Sequence, residues 1–313
     1  MKISIITVTK NNKAGLLRAI KCVRNQSYQN IEHIIVDGGS TDGSVGVLKQ
    51  VQDDLRSAQN DSRLTTHYPL LSISEADSGI YDAINKGIKL ATGDVIGLLH
   101  SDDSYADEDV IRKYAFAFDQ STTNNHPQTI DAVYSDLVYI SKKLEVKSER
   151  LVTTNYQLPA NYNAIRYWKA HKTVNSNQSS VNSKQSSAKS KNPDHYLLVT
   201  DHLLKNGWMP PHPTLFIRKE IFDKYGLYNT DLKIASDYEM ILRLFYKHKI
   251  NSYYLPITTY LMSIGGASNK SFGNIVLKSK EDHLAMNMNG IPCPLFTLAN
   301  KNLRKLPQFL VRS

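Results

Sequence analysis

Two adjacent carboxylates, Asp102 and Asp103, follow the apolar run Val95 to Leu99 and the pair His100-Ser101. Neighbouring carboxylates at a strand end repel each other unless a cation or a set of donors lies between them. Magnesium or manganese suits such a pair, because these ions take one or two carboxylates and fill their shell with phosphate oxygens. A solvated turn in which Asp103 or Ser104 caps the next helix is the alternative. Asp37 is a second candidate. It ends the run Ile31 to Val36 and opens Asp37-Gly38-Gly39-Ser40-Thr41-Asp42-Gly43. A carboxylate there can accept from a ribose or base edge, or organise the glycine loop as an Asx-turn. Glu75-Ala76-Asp77-Ser78-Gly79 is a third acidic stretch. In the second half, Ser236-Asp237-Tyr238-Glu239 opens a helical run, with Ser236 as its N-cap. Asp237 shares a helix face with Ile241 and Leu244, the inward side, whereas Glu239 meets Arg243 at i, i+4 and reads as a surface pair. Spacing therefore favours Asp237 over Glu239 as the inward-facing acid. A first-turn acid favoured by the helix dipole is the other reading of Asp237.

Strands and helices alternate ahead of these residues. Ile3 to Val8 is a nearly continuous β-branched run, as a strand buried on both faces requires. Leu16, Leu17, Ile20 and Val23 recur at helical spacing; Ile31 to Val36 is the next strand, and a helix runs from about Ser44 to Leu55. Leu70 to Ser74 is a third strand. Ile80, Ile84, Ile88 and Ala91 mark a helix that stops at Thr92-Gly93, and Val95 to Leu99 is a fourth strand. This order implies parallel pairing with right-handed crossovers. Ligands of open parallel sheets sit beyond the carboxyl ends of the strands, so the three acidic loops converge on one crevice. Further along, Ala132 to Ile140, Pro213 to Ile217 and the short Tyr253 to Leu255 read as strands, and Ser236 to His248 and Ser271 to Met288 as helices. Lys172 to Asn192 holds seven serines, four asparagines and four lysines and lacks Leu, Ile and aromatics, the composition of a flexible surface insertion.

Composition narrows the function classes. The net charge of +9 over 313 residues suits phosphate-bearing ligands or an anionic surface. Nucleic-acid binding has only this charge behind it, because no aromatic–basic motif accompanies it. The chain has neither a G-x-G-x-x-G fingerprint nor a Walker sequence, which removes support for nicotinamide and ATP chemistry. The two cysteines, Cys22 and Cys293, form no zinc or disulfide pattern and fit a reducing, cytoplasmic setting, with Cys22 as a core residue. The N-terminal apolar run is too short for a signal peptide, and no run reaches the roughly 18 apolar residues of a membrane helix.

The array Ser4-Ile5-Ile6-Thr7-Val8-Thr9-Lys10-Asn11, Ile35-Val36-Asp37-Gly38-Gly39-Ser40-Thr41-Asp42-Gly43-Ser44, Ser78-Gly79-Ile80-Tyr81-Asp82-Ala83-Ile84-Asn85-Lys86-Gly87 and Leu98-Leu99-His100-Ser101-Asp102-Asp103 resembles glycosyltransferase family 2 over about residues 1–110. The resemblance implies an α/β, GT-A type fold: a Rossmann-like, mostly parallel sheet with helices on both faces, an acceptor-side mixed region and a C-terminal helical extension. The corresponding divisions are 1–110, 111–265 (with the insertion 172–192) and 266–313. It implies metal-dependent, inverting transfer from a nucleotide-sugar, by default a UDP-sugar, to a hydroxyl of a glycan or lipid-linked acceptor, with Mn2+ or Mg2+ as cofactor. By the same resemblance the nucleoside lies against Thr9, Asp37 and Asp77, Asp102 touches the ribose or sugar, and Asp103 ligates the metal. Lys86 lies near the donor phosphates or is a helix-surface lysine. Asp237 is the base, and His212 and Trp208 line the acceptor side or serve the core. Two departures stand out: His100 replaces an Asp common in relatives, and Ser236 a Glu. The basic, leucine-containing tail from Pro294 to Ser313 suggests peripheral membrane contact, or else a terminal helix packed on the domain. The competing functions are a catalytically silent nucleotide- or carbohydrate-binding protein and a nucleotidyltransferase; the latter would need a triphosphate loop that the N-terminus lacks.

Overall fold

Seven consecutive buried residues make up each of the two central strands of the computed structural model, β1 (Ile3–Thr9) and β2 (Ile31–Asp37). The structure describes residues 1–59, 69–119, 129–142, 162–168, 199, 201–263 and 272–303. The expected insertion at 172–192 and the tail from 304 onward lie outside them. A strand covered on both sides is rich in apolar residues, and the alternation of faces decides which core each of them joins; Ser4, Thr7, Thr9, Glu32, His33 and Asp37 are the polar residues buried with them. Ile6, Val8, Ile34 and Val36 face one core with Ile84 and Ile88. Ile3 and Ile5 face a second with Ala19 and Val23, and Ile35 packs on Leu16, Ile20 and Leu48.

The helices that supply these partners are α1 (Lys13–Arg24), α2 (Ser44–Gln59) and α3 (Ile80–Leu90). Strands β3 (Leu70–Ser74) and β4 (Val95–Leu98) complete the parallel half. β1 pairs in parallel with both β2 and β4, and β2 with β3. All four therefore end on one edge of the sheet, and α3 reaches them closely because Gly87 leaves room for Ile6: a methyl there would stand 2.5 Å from its side chain.

Beyond β4 come β5 (Ser104–Tyr105), α4 (Val110–Asp119), β6 (Ala132–Lys142), β7 (Tyr162–Trp168) and α5 (Asp201–Lys205). β8 (Phe216–Arg218), α6 (Lys219–Tyr225), α7 (Ser236–Ile241), β9 (Ser252–Ser263), α8 (Phe272–Met288) and α9 (Pro294–Leu303) follow. The described strands form one sheet in the order β3-β2-β1-β4-β8-β6-β9-β5, with β7 on β6. β8 runs antiparallel to β4 and β6, whereas β9 runs parallel to β6.

Three expectations need correction. The strand from Tyr253 to Leu255 is a quarter of β9, which continues to Ser263. Pro256 cannot donate to a ladder, but it falls where the β6–β9 register shifts between Ser135 and Asp136, so the strand passes through it. The strand expected at Pro213 to Ile217 begins only at Phe216. His212–Thr214 is a 3-10 turn, which the Thr214 hydroxyl holds by donating to Pro211 O at 2.8 Å and Ser135 O at 3.0 Å. The helix from Ser236 is α-helical to Ile241 and changes to π geometry over Leu242–Lys247.

α9 is inverted relative to an ordinary surface helix. Its buried residues are Thr297 and Lys301, while Leu295, Phe296 and Leu303 are exposed at 72%, 62% and 57%. Lys301 pairs with the buried Asp282 of α8 at 2.9 Å. Thr297 donates to Lys205 O at 2.7 Å. No described helix is long and apolar enough to cross a membrane.

Candidate active site

The loops after β1, β2 and β3 are tied together by polar side chains. Thr9 is buried at the end of β1, and its carbonyl accepts from Gly38 N at 2.9 Å. Asn11 N donates to Ser40 Oγ at 2.7 Å, and Thr41 N donates to Asn11 Oδ1 at 2.8 Å. Asp37 is fully buried. Its carboxylate accepts from Ser40 N at 2.9 Å, from Ser40 Oγ, and from Ser74 Oγ at 2.6 Å. The Asp37 carboxylate thus organises the glycine loop through the N–H three residues on, one further than an Asx-turn, and also ties β2 to β3. Asp77 lies directly over Gly38, where any Cβ would overlap Asp77 Oδ2. Its Oδ1 accepts from Gly79 N at 3.2 Å, and Lys10 stands 4.0 Å away. Lys86 reaches back from α3 to Ala76 O at 3.0 Å, Glu75 at 2.9 Å and Asp82 at 3.4 Å. Its charge is matched by these acids, and its visible work is to hold the Asp77 loop.

The two carboxylates after β4 point to different surroundings. Asp102 is exposed and accepts from the Asn12 amide at 2.5 Å; the same Asn12 caps α1 through Gly15 N at 3.0 Å. Asp103 is 5% exposed and turned toward β9, where it accepts from Ser263 N at 3.0 Å and Tyr260 Oη at 3.2 Å. Burial pushes its carboxyl up to about 7; Ser263 pulls the other way and neighbouring Asp102 adds to the rise. Burial thus disfavours the ionised form, which a cation beside it would restore. Each carboxylate has about four lone-pair sites, so acceptance from Ser263 and Tyr260 leaves room for a metal on Asp103. No group of three His, Cys, Asp or Glu among the described residues can hold a metal ion by itself. The donor set fits an ion that takes one or two carboxylates and completes its shell with ligand phosphates. His100 is kept neutral, its pKa brought down to about 4 by burial and then by His212. It therefore does not replace the charge of an aspartate.

Asp237 lies in the first turn of α7, half-buried, and Tyr238 N donates to its Oδ1 at 2.7 Å. Tyr81, on α3, donates to Ile234 O at 2.8 Å and lies 3.4 Å from Asp237 Oδ1. Tyr81 stacks on Tyr228 with ring centroids 5.8 Å apart. Tyr228 in turn meets His212 Nε2 at 2.8 Å. His212 is buried and held below its ordinary pKa by that burial, against the pull of Asp237. The structure thus gives His212 the structural hydrogen bond foreseen for a lone histidine, and sets it in the Asp237 surroundings as well. Trp208 is half-buried against the larger core and meets Tyr134 edge-on at 6.3 Å.

Two sequence expectations around Asp237 fail. Glu239 is 3% exposed, so its pair with Arg243 at 3.1 Å is internal rather than a surface contact. Arg243 also donates to Gly226 O at 2.8 Å and Leu227 O at 2.6 Å, which makes the pair a brace for the turn after α6. Ser236 is not the cap either. Ala235 occupies the cap position, Ser236 Oγ is buried without a partner among the described residues, and the turn ahead of the helix is held by Glu281 of α8. Asn12, Tyr81, Tyr228, Tyr260 and Glu281 were not singled out in the sequence. Tyr81 lies inside the quoted Ser78–Gly87 array, three residues before the core-facing Ile84; the others carry no spacing signal.

Comparison with known proteins bears on this geometry. The family model for glycosyl transferase family 2 matches residues 4–187. An uncharacterised glycosyltransferase of Mycobacterium tuberculosis (strain ATCC 25618 / H37Rv) is 39% identical over 110 residues, 35% of this chain and 37% of that protein. The match therefore spans little more than a third of that relative's length. A PGL/p-HBAD biosynthesis glycosyltransferase of Mycobacterium bovis (strain BCG / Pasteur 1173P2) is 24% identical over 85% of this chain and 78% of its own. Among solved structures, S. aureus TarS 1-349 in complex with UDP-GlcNAc has a TM-score of 0.57 at 14% identity, covering 99% of this chain and 79% of that one. The mannosyltransferase PcManGT of Pyrobaculum calidifontis, in complex with GDP-Man and Mn2+, has a TM-score of 0.51 at 13% identity, covering 100% and 76%. These likenesses establish the fold as the GT-A type. Since the family model spans more than half of its residues, the chain belongs to glycosyl transferase family 2.

Proposed function

We propose that the chain transfers a sugar from a nucleoside-diphosphate donor, UDP by preference, to a hydroxyl of a glycan or lipid-linked acceptor, with inversion. The observation that carries this reading is the contact of Tyr81 with Asp237. It sets a half-buried carboxylate against the helix that follows the Asp77 loop, beside the crevice where β1, β2 and β4 end. In this reading Thr9, Asp37 and Asp77 receive the nucleoside, Asp102 the ribose or sugar, and Lys86 keeps the Asp77 loop in place next to the diphosphate. The donors of the structural neighbours, UDP-GlcNAc for TarS and GDP-Man for PcManGT, support a nucleotide-sugar. The Mn2+ of PcManGT supports Mn2+ or Mg2+ as cofactor.

The chemistry follows from these positions. The acceptor oxygen attacks the anomeric carbon from the side opposite the diphosphate. Its proton passes to the Asp237 carboxylate as the bond to the leaving phosphate oxygen breaks. The transition state is oxocarbenium-like, as in other glycosyl chemistry. A divalent ion on Asp103 would supply neutralisation of the charge that builds on the departing diphosphate. Glu239 is committed to Arg243, which leaves Asp237 as the carboxylate of this motif free to take the proton. His212 and Trp208 belong to the acceptor side.

The inverted α9 supports peripheral contact with an anionic membrane face, where a cytoplasmic enzyme meets a lipid-linked acceptor. Leu295, Phe296 and Leu303 face outward, and the sequence continues with Arg304 and Lys305. The alternative of a silent binding protein is tested by donor hydrolysis. Slow release of nucleoside diphosphate from a nucleotide-sugar in the presence of manganese is expected. Binding of the same compound without any turnover, with acceptor extracts present, would favour the silent reading.

A further inference from the structure

The approach to α7 is held by a side chain that lies far away in sequence. Glu281 of α8 is 6% exposed. Its carboxylate accepts three successive backbone N–H groups: Lys233 at 3.0 Å, Ile234 at 2.8 Å and Ala235 at 2.9 Å. Successive N–H groups that converge on one point form a concave anion site, and here the anion is built into the fold. The turn leads directly into α7, whose cap residue, Ala235, has no side chain with which to satisfy the helix N-terminus. The Ile234 peptide is gripped on both sides. Glu281 takes its N–H, and the Tyr81 hydroxyl donates to its C=O. Three residues later stands Asp237. The neighbour of Glu281, Asp282, anchors α8 further through Lys301, whose ammonium lies 3.1 Å from the ring centroid of Tyr238. Both side chains on this stretch of α8 are buried acids, which an unconstrained helix surface does not require.

We infer that Glu281 is a positioning residue for the general base: its carboxylate fixes the 233–235 turn, and through it the direction in which Asp237 faces the acceptor. The inference rests on the reading of Asp237 as the base. It makes α8 part of the catalytic apparatus through the turn that Glu281 holds. Glu281→Gln keeps the length and shape of the side chain but replaces one acceptor oxygen by an amide that cannot accept. Tyr81→Phe releases the same peptide from its other side while the ring remains stacked on Tyr228.

The test measures kcat, the KM for donor and donor affinity for Glu281→Gln, Tyr81→Phe and Asp237→Asn, singly and with each of the first two combined with the third. A displacement of the base lowers kcat by roughly tenfold or more in Glu281→Gln, and by less in Tyr81→Phe, with donor KM and affinity unchanged. In the Asp237→Asn background neither substitution lowers the residual rate further, because residues that act through one group are not additive. An unchanged kcat in Glu281→Gln beside an inactive Asp237→Asn overturns this inference alone. So does a further, additive loss in the double variants, or a parallel loss of donor affinity. Near-normal turnover of Asp237→Asn overturns the base assignment, and this inference with it. Should Glu281→Gln fold poorly, Glu281→Asp, which keeps the charge but shortens its reach to the three N–H groups, gives the same discrimination.

Discussion

The Tyr81 hydroxyl lies 3.4 Å from the Asp237 carboxylate, so a helix of the parallel half touches the first turn of a helix 156 residues later in the chain. The contact brings α3, the helix after the Asp77 loop, and the Asp237 carboxylate to one place. It also gives the Asp237 carboxylate a fixed neighbour against which its orientation is defined. If Asp237 takes the acceptor proton, Asp237→Asn lowers transfer by about 10²–10⁴-fold, the range for loss of a general base. Donor affinity stays within twofold or so, because Asp237 is not on the donor loops. Steady-state rates together with calorimetric titration of donor check this, and near-normal turnover would remove Asp237 from the mechanism.

Gly38 is where the second and third loops meet. A Cβ there overlaps the Asp77 carboxylate. Gly38→Ala is expected to turn the Asp77 carboxylate aside and weaken donor binding, at a small cost in stability because only side-chain ends must move. Gly46 is the control. It lies in α2 with nothing within 4 Å of its would-be Cβ, and Gly46→Ala in a helix is expected to be neutral or stabilising by up to about 1 kcal/mol. Urea midpoints and donor titration for the pair distinguish a local clash from a general intolerance of alanine.

His33 ties stability to pH. It is fully buried on β2, and burial brings its pKa down from 6.5 to about 3. In the unfolded chain it protonates near the ordinary value, so between those limits the unfolded state binds more protons than the folded state. Its contribution is fully present above about pH 6.5 and is lost as pH falls toward 3. The expected slope is up to about 1.4 kcal/mol per pH unit. His33→Gln should flatten that slope in denaturant titrations from pH 7 to pH 4, with His100 and His212 adding to what remains in the same direction and Asp103, whose pKa is raised, acting in the opposite one. An unchanged slope would show that His33 is not the group responsible.

The exposed face of α9 makes a separate prediction. The parent chain should sediment with anionic vesicles at low salt and less at high salt, since the basic part of the attraction is screened. Leu295→Ser with Phe296→Ser should weaken that sedimentation without lowering the unfolding midpoint, because both residues are exposed. Failure of the parent chain to sediment at low salt would remove the membrane contact.

Much of the parallel half can be read in the sequence. β1 carries Ile3, Ile5, Ile6 and Val8, β2 carries Ile31, Ile34, Ile35 and Val36, and α3 keeps its 3.6-residue period through Ile84 and Ile88, so apolar pattern and burial coincide at these residues; the burial of Ser4, Thr7, Glu32 and His33 on the same strands carries no such signal. The second half is harder because its information is non-local. β9 looks short since Pro256 interrupts it, and only pairing with β6 shows that a register shift accommodates the proline. Glu239 and Arg243 have the spacing of a surface pair on any helical wheel; the acceptors that bury them, at Gly226 and Leu227, come from another turn. Ser236 has the residue type of a cap, but Ala235 takes that position, and the turn leading into it is held by Glu281, 46 residues away from Ala235. The acidic residues of the site were recognisable by type and strand-end position. Their division of labour, with Asp102 open and Asp103 turned onto β9, depends on a strand that the sequence pattern shortens.

The central claim is that the loops after β1, β2, β3 and β4 bind a nucleotide-sugar with a divalent ion at Asp103. The most direct measurement is the unfolding temperature of the chain against a panel of UDP-, GDP-, dTDP- and CMP-sugars, with Mn2+ and with a chelator, alongside Asp103→Ala. Ligand present at about 100 times its dissociation constant stabilises by about 2.7 kcal/mol. The account expects a clear rise with one nucleotide class, UDP-sugars first, that is lost with chelator and in Asp103→Ala. A panel without any metal-dependent rise, or an equal rise in Asp103→Ala, would contradict it.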